Sequence, residues 1–196
     1  MNASDLAGLL GSRICHDLIS PLGAIGNGVE LLAMDAGQSP EMALIAESVE
    51  NAKARVMFFR VAFGAAAADQ RMGRPEVLSI LSGITRGTRL SIDWRVPGDL
   101  PRREVKLAFL LLQCAETALA FGGQIGVERD GGIWTIEGRA RRLRIDEPLW
   151  EALAAGRAAE RIGPAEVQFA LAAAELSEQR RKLLLDRDAT GIALRF

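Results

Sequence analysis

Apolar residues recur at every third or fourth position over the first 63 residues, and this spacing predicts two long helices. The first covers residues 4–36, with Ser4 or Asp5 as its N-cap. Its apolar stripe consists of Leu10, Ile14, Leu18, Leu22, Ile25, Val29 and Leu32. The second begins at Ser39-Pro40-Glu41, which provides a cap, a first-turn proline and a first-turn acid. Its stripe consists of Met42, Ile45, Val49, Ala52, Val56, Phe59 and Phe63. The short break at residues 37 and 38 makes the two helices antiparallel neighbours.

Two helices that each have one narrow apolar stripe cannot enclose a core by themselves. The hairpin therefore needs a partner. We expect two hairpins to associate into a dimeric four-helix bundle. The alternative is that the hairpin packs against the rest of its own chain.

The pattern changes after residues 64–74, which are small and then polar and resemble a linker. We predict a hairpin domain over residues 1–70 and a mixed domain over residues 71–196. The predicted helices of the second domain cover 75–87, 103–121, 148–155 and 165–178, and its strands cover 90–96, 124–128, 133–139, 182–187 and 191–196. This order gives an α+β chain whose second domain is an α/β sandwich with a mainly antiparallel sheet.

Composition narrows the class of protein. The chain has 196 residues, 49% of them apolar, and a net charge of −1, so it has no general polyanion-binding character and we expect no nucleic-acid partner. The longest uncharged run spans 12 residues, too short for the ~18 to 20 of a membrane span, and we expect no membrane partner. The first residues show no signal-peptide pattern, and we expect a soluble, cytoplasmic protein. With two distant cysteines, Cys15 and Cys114, and one histidine, we expect neither a metal site nor a disulfide.

The single histidine, His16, is the main candidate for chemistry, because histidine changes its charge near neutral pH. On a helical wheel of about 100° per residue it lies ~160° from the apolar stripe, so it projects outward. The other residues on this outward face are small or polar, namely Ser12, Ser20, Gly23 and Asn27. Pro21 follows and weakens one backbone hydrogen bond of the helix. The simplest alternative is an ordinary solvated histidine.

The run from Ile14 to Leu22 reads ICHDLISPL and contains H-D-x-x-x-P. It resembles the phosphoacceptor hairpin of bacterial histidine kinases, in which this histidine is phosphorylated. The longer stretch ICHDLISPLGAIGNGVELL, with FFRVAFGAAA at the end of the second helix, is similar to the ChpT-type histidine phosphotransferases of alphaproteobacteria.

This resemblance implies a homodimer whose four-helix bundle is flanked by two degenerate copies of the kinase ATP-binding domain. It also implies a phosphorelay in which His16 accepts a phosphoryl group from the receiver domain of a hybrid histidine kinase and passes it to response regulators. Asp17 is a candidate for orienting the imidazole. We expect Ser12, Ser20, Gly23 and Asn27 to form the receiver-docking face, with Arg60 near the level of His16 by antiparallel pairing. Mg²⁺ would come from the receiver, and we expect no cofactor bound by this chain.

The sequence lacks the nucleotide motifs of an active kinase. Cys114 stands where a Mg²⁺-binding asparagine is expected, and a thiol is a poor ligand for that ion. Residues 140–146 replace the D-x-G-x-G motif, and they contribute to a strip made of Arg139, Arg141, Arg142 and Arg144, which we interpret as solvated or partner-docking. Glu166 adds negative charge where a glycine-rich phosphate loop is expected. Two alternatives stay open, an ATP-dependent histidine kinase core and a non-catalytic dimeric adaptor.

Overall fold

The first two helices form an antiparallel hairpin in the computed structural model, which describes residues 3–36 and 39–196. Helix α1 covers Ala3–Ala36 and continues without a break through Pro21. Helix α2 covers Pro40–Ala62, and its N-terminus is capped by Ser39, whose Oγ accepts a hydrogen bond of 3.3 Å from the Met42 amide. Both predicted helices are confirmed, and the predicted turn at residues 37 and 38 lies outside the described residues.

Small residues bring the two helices close together. Gly26 of α1 lies against Val49 of α2, and Gly11 lies against the backbone of Phe63. The predicted stripe of α1 is divided: Leu22 and Val29 are half-buried, while the other five members are 47% to 61% exposed. Those five are Leu10, Ile14, Leu18, Ile25 and Leu32. Because glycine positions on a neighbouring face make these contacts, the apolar stripe stays largely uncovered in a single chain.

The opposite side of α2 packs against the second half of the chain. Phe58, Val61 and Ala62 are buried there, and the Phe58 ring stacks on Phe109 with 4.8 Å between centroids. One hydrophobic core thus runs from α2 to the sheet. The hairpin therefore packs on its own chain along this side, which was the alternative to self-association, and leaves the α1 stripe free.

The second half is an α/β sandwich. Its helices are α3 (Arg74–Thr85), α4 (Arg102–Ala118), α5 (Glu147–Ala154) and α6 (Val167–Glu178). Its strands are β1 (Arg71–Met72), β2 (Leu90–Trp94), β3 (Leu100–Pro101), β4 (Gly123–Asp130), β5 (Ile133–Arg139), β6 (Leu184–Arg187) and β7 (Gly191–Arg195). The main sheet has the order β2-β4-β5-β7-β6, in which only the β2–β4 pair is parallel. The predicted α+β class with a mainly antiparallel sheet is confirmed.

Several details differ from the sequence-based expectation. Strands β1 and β3 pair with each other, and β1 lies inside the predicted linker. The sequence pattern does not reveal these strands, because each has two residues, too few to show an alternation of apolar and polar positions. The predicted helix at residue 165 begins instead with a 3₁₀ turn over Pro164–Glu166. The strand expected from residue 182 begins at residue 184.

No helix within residues 3–36 and 39–196 is both long enough and apolar enough to cross a membrane. Across the same residues, the His, Cys, Asp and Glu side chains form no group of three or more that could hold a metal ion. Cys15 and Cys114 are both free and buried.

Candidate functional site

His16 projects from α1 into solvent, and its side chain is 83% exposed. Its Nδ1 lies 3.3 Å from Oδ1 of Asp17. The other carboxylate oxygen of Asp17 accepts a hydrogen bond of 2.8 Å from Nε of Arg13, one helical turn earlier. The hydrogen bond from Arg13, and after it the one from His16, lowers the pKa of Asp17 below its ordinary value. Asp17 is therefore an ionised acceptor beside the imidazole.

This arrangement favours one tautomer of His16. When Nδ1 carries the proton and donates a hydrogen bond to Asp17, Nε2 keeps a free lone pair. Because the side chain is exposed, Nε2 is open to a group that arrives from solvent. The pair can therefore present a neutral imidazole as a nucleophile.

A cavity of about 470 Å³ opens beside His16. Its lining combines the hairpin, the segment after α2 and the start of two helices of the second half: Ser12, His16, Arg60, Ala65, Gln70, Arg71, Met72, Glu76 and Arg102. His16 and Arg60 thus lie at one cavity, at the level that antiparallel pairing predicts for Arg60. Three guanidinium groups and one carboxylate give this cavity a positive charge.

The four residues expected to form the docking face do not all have the same environment. Ser20 and Asn27 are exposed, and a Cβ built on Gly23 meets no atom within 4 Å. Ser12 is different, because it is half-buried and its Oγ accepts a hydrogen bond of 3.0 Å from the Ala65 amide. Ser12 therefore fixes the segment after α2 to α1 at the edge of the cavity, and the open face runs from His16 toward Asn27.

Sequence reasoning missed the residues that the second half contributes to this cavity, above all Arg71 and Arg102. Arg102 donates hydrogen bonds of 2.8 Å to the Val61 carbonyl and 2.7 Å to the Arg60 carbonyl, at the C-terminal end of α2. Burial lowers the pKa of Arg102, and the neighbouring Glu76 opposes this by raising it. Arg71 and Arg102 lie 55 and 86 residues after His16 in the sequence, and no local motif marks them.

Comparison with known proteins identifies the family. Residues 74–191 match the family model described as the histidine phosphotransferase C-terminal domain. The chain belongs to the histidine phosphotransferases. The phosphotransferase is 37% identical over 151 residues to protein phosphotransferase ChpT of Brucella abortus strain 2308, a match that covers 73% of this chain and 72% of that protein. The predicted ChpT-type family membership is confirmed.

A solved structure supports the same family. The phosphotransferase is similar to a bacterial phosphotransferase with a TM-score of 0.71 and 33% identity, over 100% of this chain and 97% of the other. A histidine kinase domain from Erythrobacter litoralis is more distant, with a TM-score of 0.47 and 15% identity over 90% and 93% of the two chains.

At the three positions where an active kinase has its nucleotide motifs, the phosphotransferase has residues with other environments and contacts. Burial raises the pKa of the Cys114 thiol well above its ordinary value, so this side chain is neutral and unsuited to Mg²⁺. The Glu166 carboxylate accepts a hydrogen bond of 2.6 Å from the Gly163 amide, at the position where the resemblance to kinases predicts a phosphate loop. The Arg142 guanidinium stacks 3.7 Å from the centre of the Phe121 ring.

One of these positions, Glu166, lines a cavity of about 240 Å³ together with Thr117, Trp150 and Phe169. These features agree with a phosphotransferase that is not an ATP-dependent kinase.

Proposed function

We propose that the phosphotransferase relays phosphoryl groups through His16, taking them from the receiver domain of a hybrid histidine kinase and passing them to the aspartates of response regulators. The observation that carries this proposal is the position of the single histidine, exposed and beside a positively charged cavity, in a member of the histidine phosphotransferase family. We further propose that the protein works in the cytoplasm, where such receivers would meet it.

The proposed step forms one bond to phosphorus and breaks one. Nε2 of neutral His16 attacks the phosphorus of the receiver's aspartyl phosphate, forming a P–N bond while the P–O bond to the aspartate breaks. The receiver's carboxylate leaves with the electron pair. Nδ1 keeps its proton in the cationic product, and water accepts that proton when the phosphohistidine becomes neutral at the ring. The second transfer is the reverse of this step on another receiver.

Asp17 acts in this proposal as a positioning residue. Its carboxylate is fixed by Arg13 and accepts a hydrogen bond from the Nδ1–H of His16, which aims Nε2 outward. The transition state of phosphoryl transfer depends mainly on positioning and on charge stabilisation. The receiver's own acidic residues would hold the Mg²⁺ ion, and Ser20, Gly23 and Asn27 would lie under the docked receiver.

We also propose that the protein is a homodimer. The five exposed members of the α1 stripe form an uncovered apolar face, and a second copy would cover it in a four-helix bundle. In this proposal residues 1–70 form the dimerisation and transfer unit. Residues 71–196 form a degenerate ATP-binding-like domain that binds no nucleotide.

The relay is tested with an isolated receiver domain that carries a radioactive phosphoryl group. We expect label to move to the wild-type chain and not to His16→Gln, which keeps a polar side chain of similar size. Arg157→Gln, at an exposed residue outside both the docking face and the cavity lining, is the control for a substitution that leaves the histidine intact, and it should still accept label. A wild-type chain that takes up no label contradicts the relay and leaves the adaptor alternative. Label taken directly from ATP without a receiver would favour the kinase alternative.

A further inference from the structure

The second half of the chain contributes two arginines to the cavity at His16, and the established family membership assigns them no role. We propose, resting on the relay through His16, that Arg71 acts with Arg60 to bind the transferring phosphoryl group and that Arg102 positions Arg60. The phosphoryl pocket is then completed from residues beyond the hairpin. The degenerate domain would have a direct part in the transfer chemistry.

The charges of the cavity fit this role. Arg60, Arg71 and Arg102 line it, and Glu76 is the one acid among its described lining residues. A phosphoryl group adds about two negative charges near neutral pH. Guanidinium groups bind such oxygens through paired, charge-assisted hydrogen bonds. The cavity therefore carries about the positive charge that a phosphohistidine at its edge would need.

The backbone holds Arg71 beside Arg102. Strand β1 pairs with β3 so that Arg71 lies opposite Pro101, and the Arg102 amide donates a hydrogen bond of 2.8 Å to the Gln70 carbonyl. Arg71 itself donates through one terminal nitrogen to the Asp99 carbonyl, at 2.6 Å. This contact fixes one end of the guanidinium and leaves its other nitrogen atoms able to face the cavity.

Arg102 acts at a different point. Its two terminal nitrogens donate to the Val61 and Arg60 carbonyls, so its guanidinium caps the C-terminal end of α2. The backbone from which Arg60 projects is thereby anchored to the first residue of α4. Because both terminal nitrogens of Arg102 are used in this way, we assign it positioning and not phosphoryl contact.

The experiment measures transfer from a phosphorylated receiver to the full chain at increasing receiver concentration. We expect Arg60→Gln and Arg71→Gln to lower the saturating transfer rate about 10- to 100-fold. This loss is somewhat smaller than the roughly 10²- to 10³-fold loss of rate that follows removal of one buried oxyanion-hole donor. The receiver concentration for half-maximal rate should change much less. Arg71→Lys should recover part of the rate because it restores the charge. Arg157→Gln, which removes an exposed arginine away from the cavity, should behave as wild type.

Two further measurements separate a chemical role from a structural one. The phosphorus-31 NMR shift of the isolated phosphohistidine should move in Arg71→Gln, and its hydrolysis half-life should change, with an unchanged unfolding midpoint. Arg102→Lys should lower the saturating rate and leave the fold intact; if Arg102 variants unfold, the Arg60 and Arg71 variants decide the matter alone.

The outcomes are distinct. Wild-type rates in both Arg60→Gln and Arg71→Gln, with His16→Gln unlabelled, overturn the arginine pocket while the relay stands. An unlabelled wild-type chain overturns the relay, and the pocket with it.

Discussion

Arg55 of α2 and Glu116 of α4 face each other through two hydrogen bonds, with Nη1 3.2 Å from Oε2 and Nη2 3.1 Å from Oε1. The side chains are about one-third exposed, 36% and 32%. This bidentate pair joins α2 to α4, the same two helices that the Phe58–Phe109 stack connects. It is a polar cross-link at the edge of a continuous apolar interface.

Breaking this pair should weaken the joint moderately. We expect Arg55→Gln to lower the free energy of unfolding by about 1 kcal/mol, because water screens a pair that is one-third exposed. A double-mutant cycle with Glu116→Gln, followed by urea unfolding, should give a coupling energy of about 0.5 to 1 kcal/mol. Additive effects of the two substitutions would show that the pair contributes nothing beyond its separate side chains.

A second ion pair lies deeper, and its loss should cost more. Lys106 Nζ is 2.9 Å from Glu175, with side-chain exposures of 15% and 7%. Lys106→Met leaves a buried carboxylate that keeps a hydrogen bond of 2.9 Å from Gln179 Nε2 but loses its ion-pair partner, and we expect the free energy of unfolding to fall by about 3 kcal/mol. The double variant Lys106→Met/Glu175→Leu should be more stable than Lys106→Met alone in urea unfolding. Lys53→Met, at an exposed pair on α2, is the matched control and should cost under about 0.5 kcal/mol.

Acid should affect Asp17 only well below neutral pH. The hydrogen bond from Arg13 lowers the pKa of Asp17 in the folded state. The ionised carboxylate therefore stabilises the folded protein at any pH above the pKa of Asp17 in the unfolded chain, which is about 3.9. That contribution is lost as the pH falls through the lower folded-state value. Arg13→Ala should raise the pKa of Asp17, as measured by carbon-13 NMR of its carboxyl group, while Arg157→Ala should leave it unchanged. If the pKa of Asp17 were the same in Arg13→Ala as in the wild type, the assigned hydrogen bond would be contradicted.

The proposed dimer should depend on the exposed stripe of α1. Ile25 is 51% exposed, and each copy in a dimer would bury it. A buried side chain of this size contributes roughly 1.5 to 3 kcal/mol, so Ile25→Glu in both copies should weaken dimerisation at least 100-fold. Sedimentation velocity at micromolar concentration measures this. Ala24→Glu places the same charge one position away, off the stripe, and should stay dimeric; a wild-type monomer would refute the bundle.

The crossing of α2 and α3 depends on a glycine. A Cβ built on Gly83 would lie 2.6 Å from the Cβ of Ala54, so any side chain there forces the helices apart. We expect Gly83→Ala to destabilise the protein by about 1 to 3 kcal/mol despite its better helix propensity. Gly28→Ala is the matched control, since no atom lies within 4 Å of its Cβ, and it should be neutral or stabilising. Thermal or urea unfolding compares the two.

The sequence was sufficient for the helices and for most strands, because long periodic segments define them. It was insufficient for the packing of α1, since the face that meets α2 and the segment after it includes Gly8, Gly11 and Gly26, which an apolar pattern does not detect. The same limit explains Ser12, whose polar side chain suggests an open face but bonds to the Ala65 amide.

The candidate site shows a similar division. His16, Asp17 and Arg60 could be found from a local motif and from antiparallel spacing. Arg71 and Arg102 could not, because they reach the cavity only through the β1–β3 pairing and the start of α4. Long-range pairing of two-residue strands leaves almost no local signal.

The cap that Arg102 places on the end of α2 has a consequence for engineering. A hairpin transplanted into another signalling protein and cut at residue 70 would lose this cap, together with the apolar cover over Phe58 and Val61. The two helices alone are therefore not the smallest segment that can be transferred to another protein. Any chimera built around His16 has to keep the chain through at least α4. The fusion junction therefore has to lie after α4, and not directly after the helical hairpin.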